Sequence, residues 1–195
     1  MKKDIILAGV GGQGILSIAA AIGFAAIDAG LYLKQAEVHG MSQRGGDVQS
    51  HFRLSDKKIN SDLIPMGKAD MIISVEPMEA LRYLNYLSAD GWIITNTEPF
   101  KNIPNYPDME SLKKEFDKLP HVIAFNADEE ARKLNSPKSM NMVVLGAASP
   151  YLDIDFELLK KGVKTLFRTK GDAVVDSNIL ALEKGREISL SPEKV

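Results

Sequence analysis

Two glycine-rich stretches carry residue types that can bring bare backbone up to a ligand. The first, GVGGQG at 9–14, spaces Gly9, Gly11 and Gly14 as GxGxxG and adds Gly12 and Gln13. It follows an apolar run (DIILA) and opens a run of helix-forming residues. A strand-to-helix turn there leaves free N–H groups at the helix start, where a pyrophosphate can rest. The same spacing also serves a tight turn with no ligand, because glycine enters backbone regions closed to other residues. Both readings stay open, as they do for Gln13: its amide either meets a ligand or partner, or satisfies its own helix end. A dinucleotide site of this kind wants an acid about 20 residues on, to hold the ribose hydroxyls. Lys34 and Gln35 stand there, and the nearest acid is Glu37. NAD is therefore disfavoured.

The second stretch, EVHGMSQRGGDVQ at 37–49, contains Ser42, Gln43 and Arg44 followed by Gly45 and Gly46. An arginine offers a planar fork of donors suited to carboxylate or phosphate, and paired glycines let backbone N–H groups turn outward. A solvated turn with a surface arginine explains the same residues. Its place after the second strand brings it near the first glycine loop, because ligands of α/β sheets gather at the carboxyl ends of strands. That proximity favours a functional surface.

No independent catalytic signature accompanies these loops. GxSxG, a Walker lysine motif and HExxH are all missing. His39, His51 and His121 have no evident acid or nucleophile beside them in sequence, so no catalytic residue is assigned. With no cysteine among 195 residues, disulfides and thiolate-held iron–sulfur clusters are ruled out and a structural zinc site is improbable; no metal ligand is assigned. A net charge of −2 gives no global basic surface for nucleic acid. No apolar run approaches the roughly 20 residues of a membrane span, and Asp4 interrupts the only stretch that could pass for a secretion signal. The expectation is a cytoplasmic protein with neither membrane nor nucleic acid as partner.

The elements that must position the loops follow from the hydrophobic pattern. Residues 4–9 read as a strand buried on both faces, 13–29 as a buried helix stopped at Gly30, and 31–33 as a second short strand. KQAEVHGMSQRGG breaks the periodicity and reads as a loop. From Asp47 the sequence alternates, Val48, Ser50, Phe52 and Leu54 against Gln49, His51, Arg53 and Ser55, which predicts a half-exposed strand with His51 outward. Strands follow at 70–75, 92–97 and 121–125. Helices are expected at 77–87, 108–118 and 127–134, with a surface excursion marked by Pro99, Pro104 and Pro107. After Pro137 the chain reads helical in three segments. The fold class is α/β: a Rossmann-like sandwich with a mostly parallel sheet, a Gly-rich first βα turn and C-terminal helices, in one domain over 1–195. Met66, Met71, Met140 and Met142 read as core filler or interface. The apolar helices near 140–186 are expected to form a large subunit interface.

GVGGQG, MSQRGGDVQSHFRLS, SDLIPMGKADMIISVEPMEALR, MNMVVLGA and NILALEKG, in this order, resemble the gamma-type domain of 2-oxoacid:ferredoxin oxidoreductases across residues 4–187. Within that family the MSQRGG wording and the chain length are most similar to small beta subunits of indolepyruvate ferredoxin oxidoreductases. The resemblance implies a subunit that is inactive alone. It implies a larger alpha subunit carrying thiamine diphosphate and iron–sulfur clusters, with coenzyme A as co-substrate, an aryl pyruvate as substrate and ferredoxin as acceptor. It places Gly9, Gly11, Gly12, Gln13 and Gly14, and Ser42, Gln43, Arg44, Gly45 and Gly46, on surfaces facing the partner or the coenzyme A path. The alternative is a stand-alone nucleotide- or flavin-binding α/β protein using GVGGQG as its phosphate turn.

Overall fold

The computed structural model of the chain describes residues 1–39 and 45–191, residue 39 through its backbone. Ser42, Gln43 and Arg44 lie outside the described residues. The elements run β1 (Lys2–Val10), α1 (Ile15–Asp28), β2 (Tyr32–His39), β3 (Asp47–Ser55), β4 (Ala69–Ser74), α2 (Pro77–Arg82), β5 (Leu87–Asn96), α3 (Met109–Phe116), β6 (Val122–Phe125), α4 (Ala127–Lys133), α5 (Met140–Ala148), α6 (Phe156–Phe167) and α7 (Asp172–Leu190). The strands form a 6-stranded sheet in the order β2-β3-β1-β4-β5-β6. β1, β4, β5 and β6 pair in parallel, whereas β3 pairs antiparallel with both β1 and β2. β3 alone is therefore reversed, and the sheet is mostly parallel as the sequence predicts.

The sheet separates two apolar layers. Alternate residues of β1 serve each face: Ile5 and Leu7 pack under α1, α5, α6 and α7, while Ile6 and Ala8 pack against α2 and α3. That two-sided burial is why residues 5–10 are apolar without alternation. The change of face between α1 and α2 puts a topological switch between β1 and β4, and the crevice outside such a switch is where open α/β sheets bind ligands.

Several expectations are corrected by neighbours distant in sequence. β2 continues to His39 instead of ending at Leu33, because residues 32–39 form a hairpin ladder with β3 from the sheet's edge. Ladder bonds need no apolar alternation, so KQAEVH carried no strand signal. The expected helix at 77–87 is a short α2 followed by one 3-10 turn at Leu84–Tyr86, and β5 begins at Leu87. His51 is buried, not outward: β3 lies inside the sheet, the Ile64 N–H donates to His51 Nδ1 at 3.0 Å, and the Tyr86 ring meets it edge-on. Arg53, on the same face, forks onto the buried Asp4 carboxylate at 2.7 and 3.0 Å. Met71, Met140 and Met142 are core, but Met66 is exposed.

The apolar character of α5, broken only by Asn141, is explained by burial within the chain. All nine of its residues are buried, packed between the sheet and α7. Gly146 and Gly185 allow this crossing: a Cβ on either would collide with the facing backbone carbonyl, of Leu182 and Val143 respectively. Gly162 of α6 sits against the Ala21 carbonyl of α1 in the same manner. Among the described residues, no helix is long and apolar enough to cross a membrane.

Candidate functional site

The carboxyl ends of the parallel strands converge on GVGGQG. Gly9, within the buried part of β1, is a glycine because no side chain fits there: an added Cβ would lie 2.5 Å from Val75 Cγ2 and 2.9 Å from Ile15 Cδ1. The turn then closes through Gln13 N–H to the Val10 carbonyl at 3.1 Å, and the Gln13 Oε1 accepts from Val10 N–H at 2.9 Å. Gln13 thus braces the strand end and does not cap its helix. Gly12 and Gly14 have φ of 103° and 88°, the left-handed region that favours glycine. Gly14 is the helix N-cap; its carbonyl accepts from Ser17 and Ile18 N–H and from Asn141 Nδ2 at 3.1 Å. α1 opens with no side-chain cap and no acid in its first turn. Among the described residues, the N–H groups of Gly12, Gly14 and Ile15 have no acceptor. They stand at the positive end of the α1 dipole, an arrangement suited to an anion.

Gly45 and Gly46 are brought against this turn. Gly11 N–H donates to the Gly46 carbonyl at 2.8 Å, and Gly45 N–H reaches the Gly11 carbonyl at 3.4 Å. The two glycine loops of the sequence therefore meet, through Gly11, Gly45 and Gly46. Gly12 is exposed, and nothing lies within 4 Å of where its Cβ would be. Its missing side chain serves the backbone conformation and open space, not internal packing.

Below and beside the loops lies a buried polar network that the sequence reading missed. Glu76, after β4, is 0% exposed, and its carboxylate accepts from Glu79 N–H (2.9 Å), Phe100 N–H (3.3 Å) and the Tyr106 hydroxyl. Burial and this carboxylate hold the Tyr106 phenol well above its ordinary value. Tyr83, buried by its surroundings and donating to Asp47 Oδ2 at 3.1 Å, is raised likewise. Burial also pushes Glu79 up, against the lowering effect of its Arg82 partner at 2.7 Å. Asn96, at the end of β5, donates to the Val75 carbonyl and to Asp128, and accepts from Ala127 N–H, so one amide ties β4, β5 and α4. Asn102 Nδ2 donates to the Gly45 carbonyl at 2.7 Å. The signals for these residues were a glutamate set before a proline (EPM) and a proline-punctuated NIPNYP. Both are too short to separate from ordinary loop chemistry.

The fold and the loops define a Rossmann-like sheet whose switch point is lined by outward backbone N–H groups. The adenosine side of a dinucleotide site is replaced: reversed β3, not a second parallel strand, lies beside β1. The chain belongs to the pyruvate ferredoxin/flavodoxin oxidoreductase family, whose model matches residues 4–188. It is 38% identical to the indolepyruvate oxidoreductase subunit IorB of Archaeoglobus fulgidus, with 98% of this chain and 97% of that one covered. To the IorB of Thermococcus kodakarensis it is 37% identical, with 95% of each covered. Such relatives are small subunits of 2-oxoacid oxidoreductases, and the stand-alone nucleotide-binding alternative is not favoured. Among solved structures, the keto/oxoacid ferredoxin oxidoreductase gamma subunit of Geobacter sulfurreducens has the same fold, with a TM-score of 0.71 at 23% identity over 96% of this chain and 98% of that one. The 2-oxoglutarate:ferredoxin oxidoreductase of Magnetococcus marinus, determined with 2-oxoglutarate, coenzyme A and succinyl-CoA bound, matches with a TM-score of 0.77 and 23% identity. There all of this chain aligns with 32% of the longer one.

Proposed function

We propose that this chain is the small subunit of an indolepyruvate:ferredoxin oxidoreductase, and that its glycine loops hold the phosphates of coenzyme A. The larger subunit carries thiamine diphosphate and iron–sulfur clusters, which supply the decarboxylation and electron-transfer chemistry. In the overall reaction an aryl pyruvate loses CO2, its acyl carbon bonds to the coenzyme A sulfur, and the electron pair released reduces ferredoxin. This chain binds and orients the thiol carrier. Its N–H groups at Gly12, Gly14 and Ile15 neutralise phosphate charge without a side chain. Gly9, Gly11 and Gln13 fix the turn, Gly45 and Gly46 close it from the side, and Ser42, Gln43 and Arg44 supply further donors by sequence position.

The observation that carries this reading is the near full-length identity of 37–38% to IorB subunits, joined to a backbone cradle at the sheet's switch point. A cysteine-free chain supplies no thiolate for a cluster, which suits a division of labour between subunits. The test is reconstitution. The isolated chain is expected to be colourless and inactive, and mixing it with the larger subunit is expected to give indolepyruvate oxidation that requires coenzyme A. Oxidation by this chain alone overturns the subunit reading. A reconstituted Gly12→Val complex with wild-type coenzyme A dependence overturns the role given to the loop.

A further inference from the structure

The segment after β5 runs Thr97 to Pro107 across the open end of the sheet, and it is held in an unusual way. Its middle is solvent-exposed, with Phe100 43% and Ile103 38% accessible, so apolar burial does not fix it. The carboxylate of Glu76, 0% exposed, holds both its limbs instead: Phe100 N–H on one side and the Tyr106 hydroxyl on the other. Burying a carboxylate costs several kcal/mol unless donors surround it. Three do, the third being Glu79 N–H at the start of α2. Three prolines, Pro99, Pro104 and Pro107, narrow the segment's freedom further. What the segment presents at its exposed crest is the Asn102 amide, 2.7 Å from the Gly45 carbonyl. Gly45 and Gly46 are in turn bonded to Gly11.

We propose that residues 97–107 form a strap, anchored on Glu76, whose Asn102 amide sets the distance between the two glycine loops, making Asn102 a positioning residue for the ligand held there. The proposal rests on the coenzyme A reading above. The strap reaches the site through one exposed side chain, which separates positioning from folding. Removing the Asn102 amide leaves the core and its anchors untouched, yet it frees Gly45 to drift from Gly11. A single hydrogen bond is worth about 0.5–1.5 kcal/mol net, so the effect on affinity is about two- to tenfold.

The experiment uses the two-subunit complex carrying Asn102→Ala, with Tyr106→Phe as a second variant and Gly12→Val as reference. Steady-state KM for coenzyme A, kcat at saturating coenzyme A, the melting temperature, and amide exchange of residues 9–17 and 45–48 are read in each. For Asn102→Ala the expected result is a KM raised two- to tenfold, kcat and melting temperature as in wild type, and faster exchange at Gly11 and Gly45. Tyr106→Phe, which frees one limb of the strap, should raise KM in the same direction with a modest loss of melting temperature. If Gly12→Val raises KM but Asn102→Ala leaves KM or exchange unchanged, the strap is overturned while the coenzyme A reading stands. If neither variant moves KM, the coenzyme A reading falls and takes the strap with it.

Discussion

Gly12 and Gly14 sit two positions apart in one turn, yet they are glycines for different reasons. At Gly12 a Cβ meets nothing, and the constraint is a φ of 103°; at Gly14 a φ of 88° is joined by Asn141 Nδ2, 2.5 Å from where a Cβ would stand. Left-handed backbone costs a non-glycine residue about 1–2 kcal/mol. Gly12→Ala is therefore expected to lower stability by about that amount. Gly14→Ala should cost more, because Asn141 must also give up its bond to the Gly14 carbonyl. Denaturant unfolding of the purified chain checks the order, and a larger loss at Gly12 would contradict the geometry. His51 gives a second residue-scale prediction. Burial, with the neighbouring Arg53 charge, lowers its pKa from the ordinary 6.5, against a smaller raising effect from Asp62. Its Nδ1 must stay unprotonated to accept from Ile64 N–H. The unfolded chain thus takes up this proton first, so the contribution of His51 is fully present above about pH 6.5 and is lost as pH falls toward the lower folded value. Melting temperature is expected to drop more steeply on acidification in wild type than in His51→Asn, whose Oδ1 can accept the same bond without titrating. Parallel pH profiles would exclude His51 as the source.

Among the elements, the α5–α7 crossing depends on glycine more than any other contact described. A Cβ at Gly185 would overlap the Val143 carbonyl, and one at Gly146 the Leu182 carbonyl, so Ala at either position forces the helices apart. Overpacking a tight core costs about 1–3 kcal/mol and sometimes more. Gly185→Ala is expected to fall at or above the top of that range, whereas Ala at exposed Gly30, where φ is the sole constraint, should cost less; thermal melting of both variants decides it. Elements of this kind also mark what the sequence could disclose. β1 and β4 announced themselves by mostly apolar runs, α3 by its amphipathic pattern, whose start the structure finds capped by Asp108 accepting from Ser111 N–H, and the first βα turn by its glycines. β2 past Leu33 was illegible because an edge hairpin is held by ladder bonds. The outward reading of His51 failed because the segment that covers it comes from Ile64 and Tyr86. The half of the site made of glycine was legible, since backbone constraint leaves a compositional mark. The half made by Glu76, Asn96, Asn102 and Tyr106 was not, because each is an ordinary loop residue until the sheet brings the strand ends together.

At the scale of the whole molecule, α1 presents a strip of exposed apolar side chains, while of the helices that the sequence suggested α5 is buried and α7 exposes Leu180. Leu16 and Ile27 are 58% and 63% exposed, and Phe24 is 38% exposed. At 100° per residue they fall within about 80° of one another around the helix, with Ala20 between them. Tyr32, 53% exposed, follows just after the helix at the start of β2. The strip begins two residues past Gly14, so whatever covers it also borders the open cradle. Relatives of this chain are subunits, and the core of a permanent interface is depleted of charge and rich in such side chains. The α1 strip is therefore expected to contact the larger subunit. Ile27 lies 11 residues beyond Leu16, about 16 Å along the axis, far enough to alter association without touching the glycine turn. Ile27→Glu should leave the melting temperature of the isolated chain unchanged and weaken capture by the larger subunit at least tenfold. Because the cradle stays intact, activity should recover when that subunit is supplied in excess. Leu16→Glu should weaken capture too, but with a raised KM for coenzyme A that excess partner does not correct. If Ile27→Glu binds the larger subunit with wild-type affinity, the strip is ordinary surface exposure and the interface lies on another face.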